Sequence, residues 1–455
     1  MGTVMRSLIR WLLALMVLIA LWLALVLSEW LPRPTAEEQA ALAALAVEPE
    51  SAKGERDGFA ATWFMGYDVP EDQLSGLLEA DLAAYNKLLT DTGSVVDFRT
   101  TAEGRFAALP YPNGQDPALC ELWNDDCVQR VRSAPEATRQ RLKDFAQRLD
   151  RSRWLARYDH FHYAFAPRFD SPIGALNGLS NLQLSEATLQ YVDGDVDQAF
   201  ATLCSDTASW RRFRSRSDIL VNDMIGIAYI SLAAQLYGQM LAEQPADFAA
   251  PCPEVFAPLA DAELDQCASM RFEFLSARNS LDIGIGLMLA DGAVAKFVRT
   301  LANSQHMLRR FATLTGAYCQ AEQHARDVAR DPTPPAVVTA CTWSGWAFDP
   351  VGCALVEDAT PDYHGYHLRV FDLDARLRLL NAAIWLRKPV NDGGVQTLLG
   401  DPGFAARPKA ADSPLHDFTW DAQRGVLRMR NLQAGRGEFW EVPVAKLPPT
   451  TEQPQ

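Results

Sequence analysis

Two short stretches of the chain place imidazoles close enough in sequence to share a ligand. In "RYDHFHYAF" (157–165), His160 and His162 stand on either side of Phe161 and next to Asp159. In "DYHGYH" (362–367), His364 and His367 are three residues apart. Paired imidazole nitrogens are ligands for a transition metal, and a carboxylate such as Asp159 would orient a ring through its other nitrogen. The plainer alternative for the first stretch is an extended polar-aromatic segment whose side chains point alternately in and out. His306, His324 and His416 stand alone and read as ordinary surface or core histidines.

A third stretch, "ATLQYVDGDVDQA" (187–199), gathers Asp193, Asp195 and Asp197. A calcium loop of the EF-hand kind needs Gly at its sixth position and a bidentate Glu at its twelfth. Counted from Asp193, those positions are Gln198 and Cys204. The same residues punctuate two helices instead. Gly194 supports the left-handed turn that ends one helix, and Asp195 is placed to cap the next, "VDQAFATLC". A tetratricopeptide array would repeat that turn at Ala228, inside "IGIAYIS", and nothing there matches. The expectation is a single helical hairpin without a regular repeat.

Hydrolytic and nucleotide signatures are missing. The chain contains no G-x-S-x-G, S-x-x-K or H-E-x-x-H pattern and no phosphate-binding loop. "GIGLMLADG" has Leu289 where a dinucleotide fingerprint needs its third glycine. Paired carboxylates for glycoside chemistry stay open, because their spacing is spatial. No cofactor is expected.

The eight cysteines are Cys120, Cys127, Cys204, Cys252, Cys267, Cys319, Cys341 and Cys353. An even number without paired C-x-x-C spacing points to disulfides in an oxidising compartment. Short loops suggest Cys120–Cys127, Cys252–Cys267 and Cys341–Cys353, leaving Cys204 and Cys319 as a pair or as buried thiols.

The compartment is also written at the N-terminus. "WLLALMVLIALWLALVL" (11–27) holds seventeen apolar residues without a charge, and Pro32 and Pro34 end the helix. That length is at the lower limit for a span and exceeds a signal-peptide core. A cleaved signal is the alternative, although no A-x-A site follows. Arg6 and Arg10 precede the run, so residues 1–10 are expected in the cytoplasm and the bulk across the membrane. The apolar stretches 220–242 and 281–298 carry Asn222, Asp223, Asp282 and Asp291 and read as core helices. One span is expected, over 11–31, in a bacterial inner membrane.

Helical spacing dominates the remainder. Leu74, Leu77, Leu78, Leu82, Tyr85, Leu88 and Leu89 form one stripe, with Asp72 in the capping position. Leu373, Leu377, Leu380 and Ile384 form another. The period changes at "FTWDAQRGVLRMR" and "GEFWEVPV", which read as two or three strands packed on the last helix. The organisation expected is a tether or short helix over 32–57, a helical periplasmic domain over 58–329, and a proline-rich linker over 330–340. A C-terminal helix with a small sheet then covers 341–447, and 448–455 is a loose tail. The fold class is mainly α: an irregular helical-hairpin array after one transmembrane helix, with a small antiparallel β element.

A formal net charge of −15 argues against a nucleic-acid partner. Nine Lys and Arg between Arg130 and Arg157, and four more in "WRRFRSR" (210–216), read as helix faces paired with the chain's own carboxylates. An anionic lipid or polymer is the alternative.

The order of these signals resembles a family of single-anchor, helix-rich envelope proteins of Gram-negative bacteria. "FMGYDVP", "LCELWNDDC", "GDVDQAF" with "SDILVNDMIGIA", "DPVG", "LDARLRLL" and the Trp420–Arg428 stretch carry the resemblance. It implies an exported α-helical domain with a small β tail, and carries no activity, cofactor or catalytic residue over to this chain. The function expected is a non-enzymatic interaction or scaffold module, held at the inner membrane and working on an envelope protein partner. The alternative is an envelope hydrolase or ligand-binding domain. Its cleft would join the segment 154–165 to His364 and His367.

Overall fold

With no polar side chain available over 11–27, the backbone satisfies itself as helix α1, Gly2–Leu27. The helix starts at once, so Arg6 and Arg10 lie on it rather than on a separate N-terminal segment. Its apolar window, Met5–Val26, is long enough to cross a membrane, about 33 Å at ~1.5 Å per residue. A computed structural model of the chain describes residues 2–27, 33–47, 56–112, 116–121, 126–174, 179–288, 303–335, 341–359, 361–387, 418–433 and 439–444. The expected end of the span at 28–31, the core stretch beyond 288, residues 336–340 of the proline-rich linker and the tail at 448–455 fall outside them.

The segment expected as a tether or short helix contains α2, Ala36–Ala46, opened by a capping box between Thr35 and Glu38. This helix is docked. Ala41 and Leu45 are buried with Phe274 and Ala312. The approach is close because of Gly316: a Cβ there would stand 2.8 Å from the Ala41 carbonyl oxygen. Gly316→Val is therefore expected to weaken the fold by about 1–3 kcal/mol through overpacking. It should also open Glu37 and Glu38 to a glutamate-specific protease. Gly76→Ala is the control, since a Cβ at Gly76 meets nothing within 4 Å. Equal digestion of the two variants would contradict the docking.

The body continues with α3 (Phe59–Trp63), α4 (Leu74–Thr92), α5 (Cys127–Ser133), α6 (Pro135–Asp144) and α7 (Ala146–Ser152). The leucine stripe makes α4, but Asp72 does not cap it. Asp72 lies inside a 3-10 turn, Glu71–Gln73, which leaves Gln73 at the helix start without a side-chain bond. Next comes the expected hairpin, α8 (Leu179–Val192) and α9 (Val196–Ser215), with Gly194 between them at φ 91°. Asp195 occupies the capping position but its side chain makes no capping bond. The Asp195 amide instead donates back to Gln190 O at 2.8 Å. Asp193, far from forming a cation loop, pairs with Arg139 at 2.8 Å.

Helix α10, Leu220–Ala242, is apolar over most of its surface and 78% of its apolar window is buried, as a core helix requires. After it come α11 (Cys267–Met288), α12 (Ser304–Gly316), α13 (Ala321–Ala329), α14 (Trp343–Phe348), α15 (Pro350–Ala359) and α16 (Tyr363–Leu386). The chain closes with an antiparallel sheet in the order β1 (Thr419–Asp421), β2 (Val426–Arg430) and β3 (Phe439–Pro443). Its register sets Trp420 opposite Leu427, Leu427 opposite Val442 and Met429 opposite Trp440. The inward face, Leu427, Met429 and Val442, packs on α10 and α16. Leu373 and Leu380 of α16 thus share one core with Phe200 and Tyr237, so residues on both sides of 330–340 build the same interior.

Four cysteine pairs stand at disulfide distance, and among the described residues no cysteine is free. Cys120–Cys127 and Cys341–Cys353 are as expected, with Cα separations of 5.2 and 5.7 Å. The other two are not. Cys204 joins Cys252 and Cys267 joins Cys319, at 6.3 and 4.7 Å. The loop after α10 folds back along α9: Phe248 lies on Phe200 and the Tyr237 hydroxyl donates to Pro251 O. That places Cys252 at Cys204. Cys267 begins α11, which packs against the turn Ala317–Cys319.

Candidate functional site

Alternation governs the first histidine stretch. Phe161, Tyr163 and Phe165 turn inward and pack edge-on around Phe59, with Trp63 and Phe98 beyond. The histidines face the other way. His162, its side chain 72% exposed, sets Nδ1 2.8 Å from Asp218, and that bond raises its pKa above the usual imidazole range. The His160 carbonyl accepts from the Gly58 amide at 2.9 Å. Asp159 accepts from the Arg56 amide at 3.0 Å, which holds its pKa low. Asp159 therefore serves backbone rather than an imidazole.

The second set lies on the first turns of α16, where Asp362 caps the helix through the Gly365 amide. Burial lowers the pKa of His364, and the neighbouring His367 adds to the effect. His367 is fully enclosed between the rings of Tyr318 and Phe371. The two histidine sets take different partners, and among the described residues no group of three or more His, Cys, Asp or Glu is arranged to hold a metal.

What the fold assembles is a buried polar chain centred on His367. Its Nε2 lies 3.0 Å from Asp327 Oδ1 and its Nδ1 lies 3.0 Å from Gln266 Oε1. The Gln266 amide nitrogen donates to Asp223 Oδ2 at 2.7 Å, which fixes the amide's orientation. Asp223 Oδ1 accepts from Arg214 Nε at 2.6 Å, and Arg214 Nη2 donates to the Glu263 carbonyl at 2.8 Å. Gln323 closes the far end on Asp327 at 2.8 Å. The chain ties α9, α10, α13, α16 and the start of α11 together away from water. Apart from His367, its members were not expected as site residues. The available signal was Asp223, the one carboxylate of a mostly apolar helix.

His306 is similarly committed. Its Nδ1 meets Asp349 Oδ2 at 2.7 Å, both buried. The other carboxylate oxygen accepts from the amides of Asn303 and Gly352 at 3.0 and 2.9 Å. These two imidazoles are held in place and covered, an arrangement that stiffens a fold and gives a substrate no access to them.

Two further carboxyls, Asp206 buried and Glu273 half-buried, have no ion pair among the described residues. Burial pushes Asp206 up to about 8, partly offset by the Trp210 indole and reinforced by Glu186. Desolvation likewise raises Glu273 to about 7, partly offset by the neighbouring Tyr363. A carboxyl whose folded pKa is raised contributes stability that is complete below its unfolded pKa, 3.8 for Asp206. That contribution is lost as pH rises through the folded value. Asp206→Asn should therefore gain on the wild type from pH 4 to pH 7, by up to about 4 kcal/mol at ~1.36 kcal/mol per unit. Urea midpoints at pH 4, 5.5 and 7 check this; parallel profiles for the two proteins would rule it out. The Glu273 contribution cancels in the difference.

Comparison of the chain with protein-family models, with curated proteins and with solved structures finds no match.

Proposed function

We propose that the protein is a single-pass protein of a Gram-negative inner membrane, with its N-terminus cytoplasmic, whose helical periplasmic body is a non-enzymatic interaction or scaffold module of the envelope. The observation that carries this reading is the commitment of His306 and His367 to buried carboxylates, with the aromatic residues of 157–165 spent on the core. The residues that would have built a reactive cleft instead brace helices against each other. The apolar α1 and four cysteine pairs at disulfide distance support an exported, anchored domain.

Cross-linking in intact cells, with the anchored protein as bait and mass spectrometry as readout, tests the role. A reproducible envelope protein at near-stoichiometric yield is the result expected. Recovery of background proteins alone would remove the scaffold reading.

A further inference from the structure

Among the described residues outside α1, the most exposed large apolar side chain is Trp343, at 83%, and Trp346 beside it is 45% exposed. Both belong to α14, whose six residues, "WSGWAF", carry no charge. A solvated helix would not leave two indoles bare on a charge-free face; soluble surfaces rarely expose such patches without use. The structure also shows what lies next to this helix. Trp22 of α1 donates its indole N–H to the Ala347 carbonyl at 2.7 Å, so α14 sits directly against the apolar helix. Val26, one turn further along α1, is 3% exposed and so is already covered.

The depth follows from the helix rise. Trp22 precedes Val26, the end of the apolar window, by four residues, about 6 Å along the axis. A segment held level with Trp22 lies at the acyl–headgroup boundary, where interfacial helices bury their apolar faces by about 5–10 Å. Indoles are favoured at that level because the ring is apolar while its N–H finds a polar partner.

The mounting of α14 is rigid. Thr342 caps it through the Gly345 amide at 3.1 Å. Gly345 turns inward, where a Cβ would stand 2.6 Å from Cys341 Sγ. The Cys341–Cys353 pair ties the helix start to α15. The inner side of α14 is thus fixed to the body, leaving the tryptophans outward.

We propose that α14 is a second membrane contact, in which Trp343 and Trp346 enter the headgroup layer of the leaflet where α1 ends. The body then rests on the bilayer in one orientation instead of swinging from its anchor. The occupant of this face is lipid, argued from its continuity with α1, and the inference rests on α1 being a span.

The test uses the full chain labelled with fluorotryptophan and reconstituted in phosphatidylcholine nanodiscs. Trp343→Phe, Trp346→Phe and Trp11→Phe assign three resonances while keeping an apolar ring at each site. Lipid carrying a nitroxide near the headgroup should broaden the Trp343 and Trp346 resonances severalfold, and an aqueous gadolinium chelate should leave them nearly unchanged. Broadening by the chelate alone overturns the proposal by placing both indoles in water. Insensitivity to both agents also overturns it, since protein would then cover them. Trp11, 74% exposed on α1, separates the two readings. If lipid nitroxides distributed along the acyl chain leave Trp11 unbroadened, the span itself is wrong. If Trp11 responds while Trp343 and Trp346 do not, only the second contact fails.

Discussion

Asp223→Ala is expected to destabilise the protein by about 3–5 kcal/mol, the range for removing one partner of a buried ion pair. Arg214 and Asp223 have side chains 1% and 5% exposed, and their 2.6 Å contact is the charged end of the chain through Gln266 to His367. With Asp223 gone, the Arg214 Nη2 bond to the Glu263 carbonyl remains, but a carbonyl does not neutralise a guanidinium. Gln266 would also lose the acceptor that orients it, and with it the fixed oxygen facing His367. The site has little room to relax. Gly226 brings α10 onto Arg214 so tightly that a Cβ there would lie 2.6 Å from Arg214 Cβ. The double variant Arg214→Met/Asp223→Leu should recover most of the loss, because it removes both charges together. Denaturation midpoints for the two single variants and the double variant measure the coupling. A loss below about 1 kcal/mol for Asp223→Ala, the scale of an exposed pair, would show that the pair is not isolated from water.

Such a pair marks the limit of what the linear sequence discloses. Features set by local chemistry are legible there. The charge-free run at 11–27 makes a helix because nothing else satisfies its backbone, and Gly194 ends a helix because its φ of 91° suits a residue without a Cβ. Alternation in 157–165 sorts Phe161, Tyr163 and Phe165 from the histidines. Asp223 tells α10 apart from a span, since its partners Arg214 and Gln266 come from protein.

Features set by distant contacts are not legible. The neighbours of His367 are Asp327 and Gln266, forty and 101 residues away, and no local pattern ties the three. The adjacency of His364 and His367 suggested a shared ligand, whereas the helix sends His367 into the core. The same holds for α2. Its Ala-rich composition suits a spacer, and only Gly316 on a remote helix lets it dock. Trp343 and Trp346 belong to no local pattern, and their setting comes from α1, more than three hundred residues away in the chain.

Disulfides obey the same division, and they give the second large effect. Replacing Cys204 and Cys252 together by serine should cost about 4 kcal/mol, from the chain entropy released by a 48-residue loop. Cys267 and Cys319, closing 52 residues, should match it. Cys120 and Cys127, closing only seven, should cost closer to ~2 kcal/mol on the same reasoning. Sequence proximity, in which short loops are the natural partners, places Cys120–Cys127 and Cys341–Cys353 correctly and misplaces Cys252 and Cys267. Proximity misleads because the backbone between Cys252 and Cys267 is held elsewhere. Arg211 reaches the carbonyls of Val255, Ala257 and Pro258, and Phe256 is buried in the core. Those bonds spread the loop along α9 and keep its two cysteines on separate partners. Digestion of the unreduced protein should release peptides linking Cys204 to Cys252 and Cys267 to Cys319, and thiol titration of the unfolded, unreduced chain should find none free. A peptide linking Cys252 to Cys267 would mean that the return of this loop along α9 is wrong, and the Arg211 contacts with it.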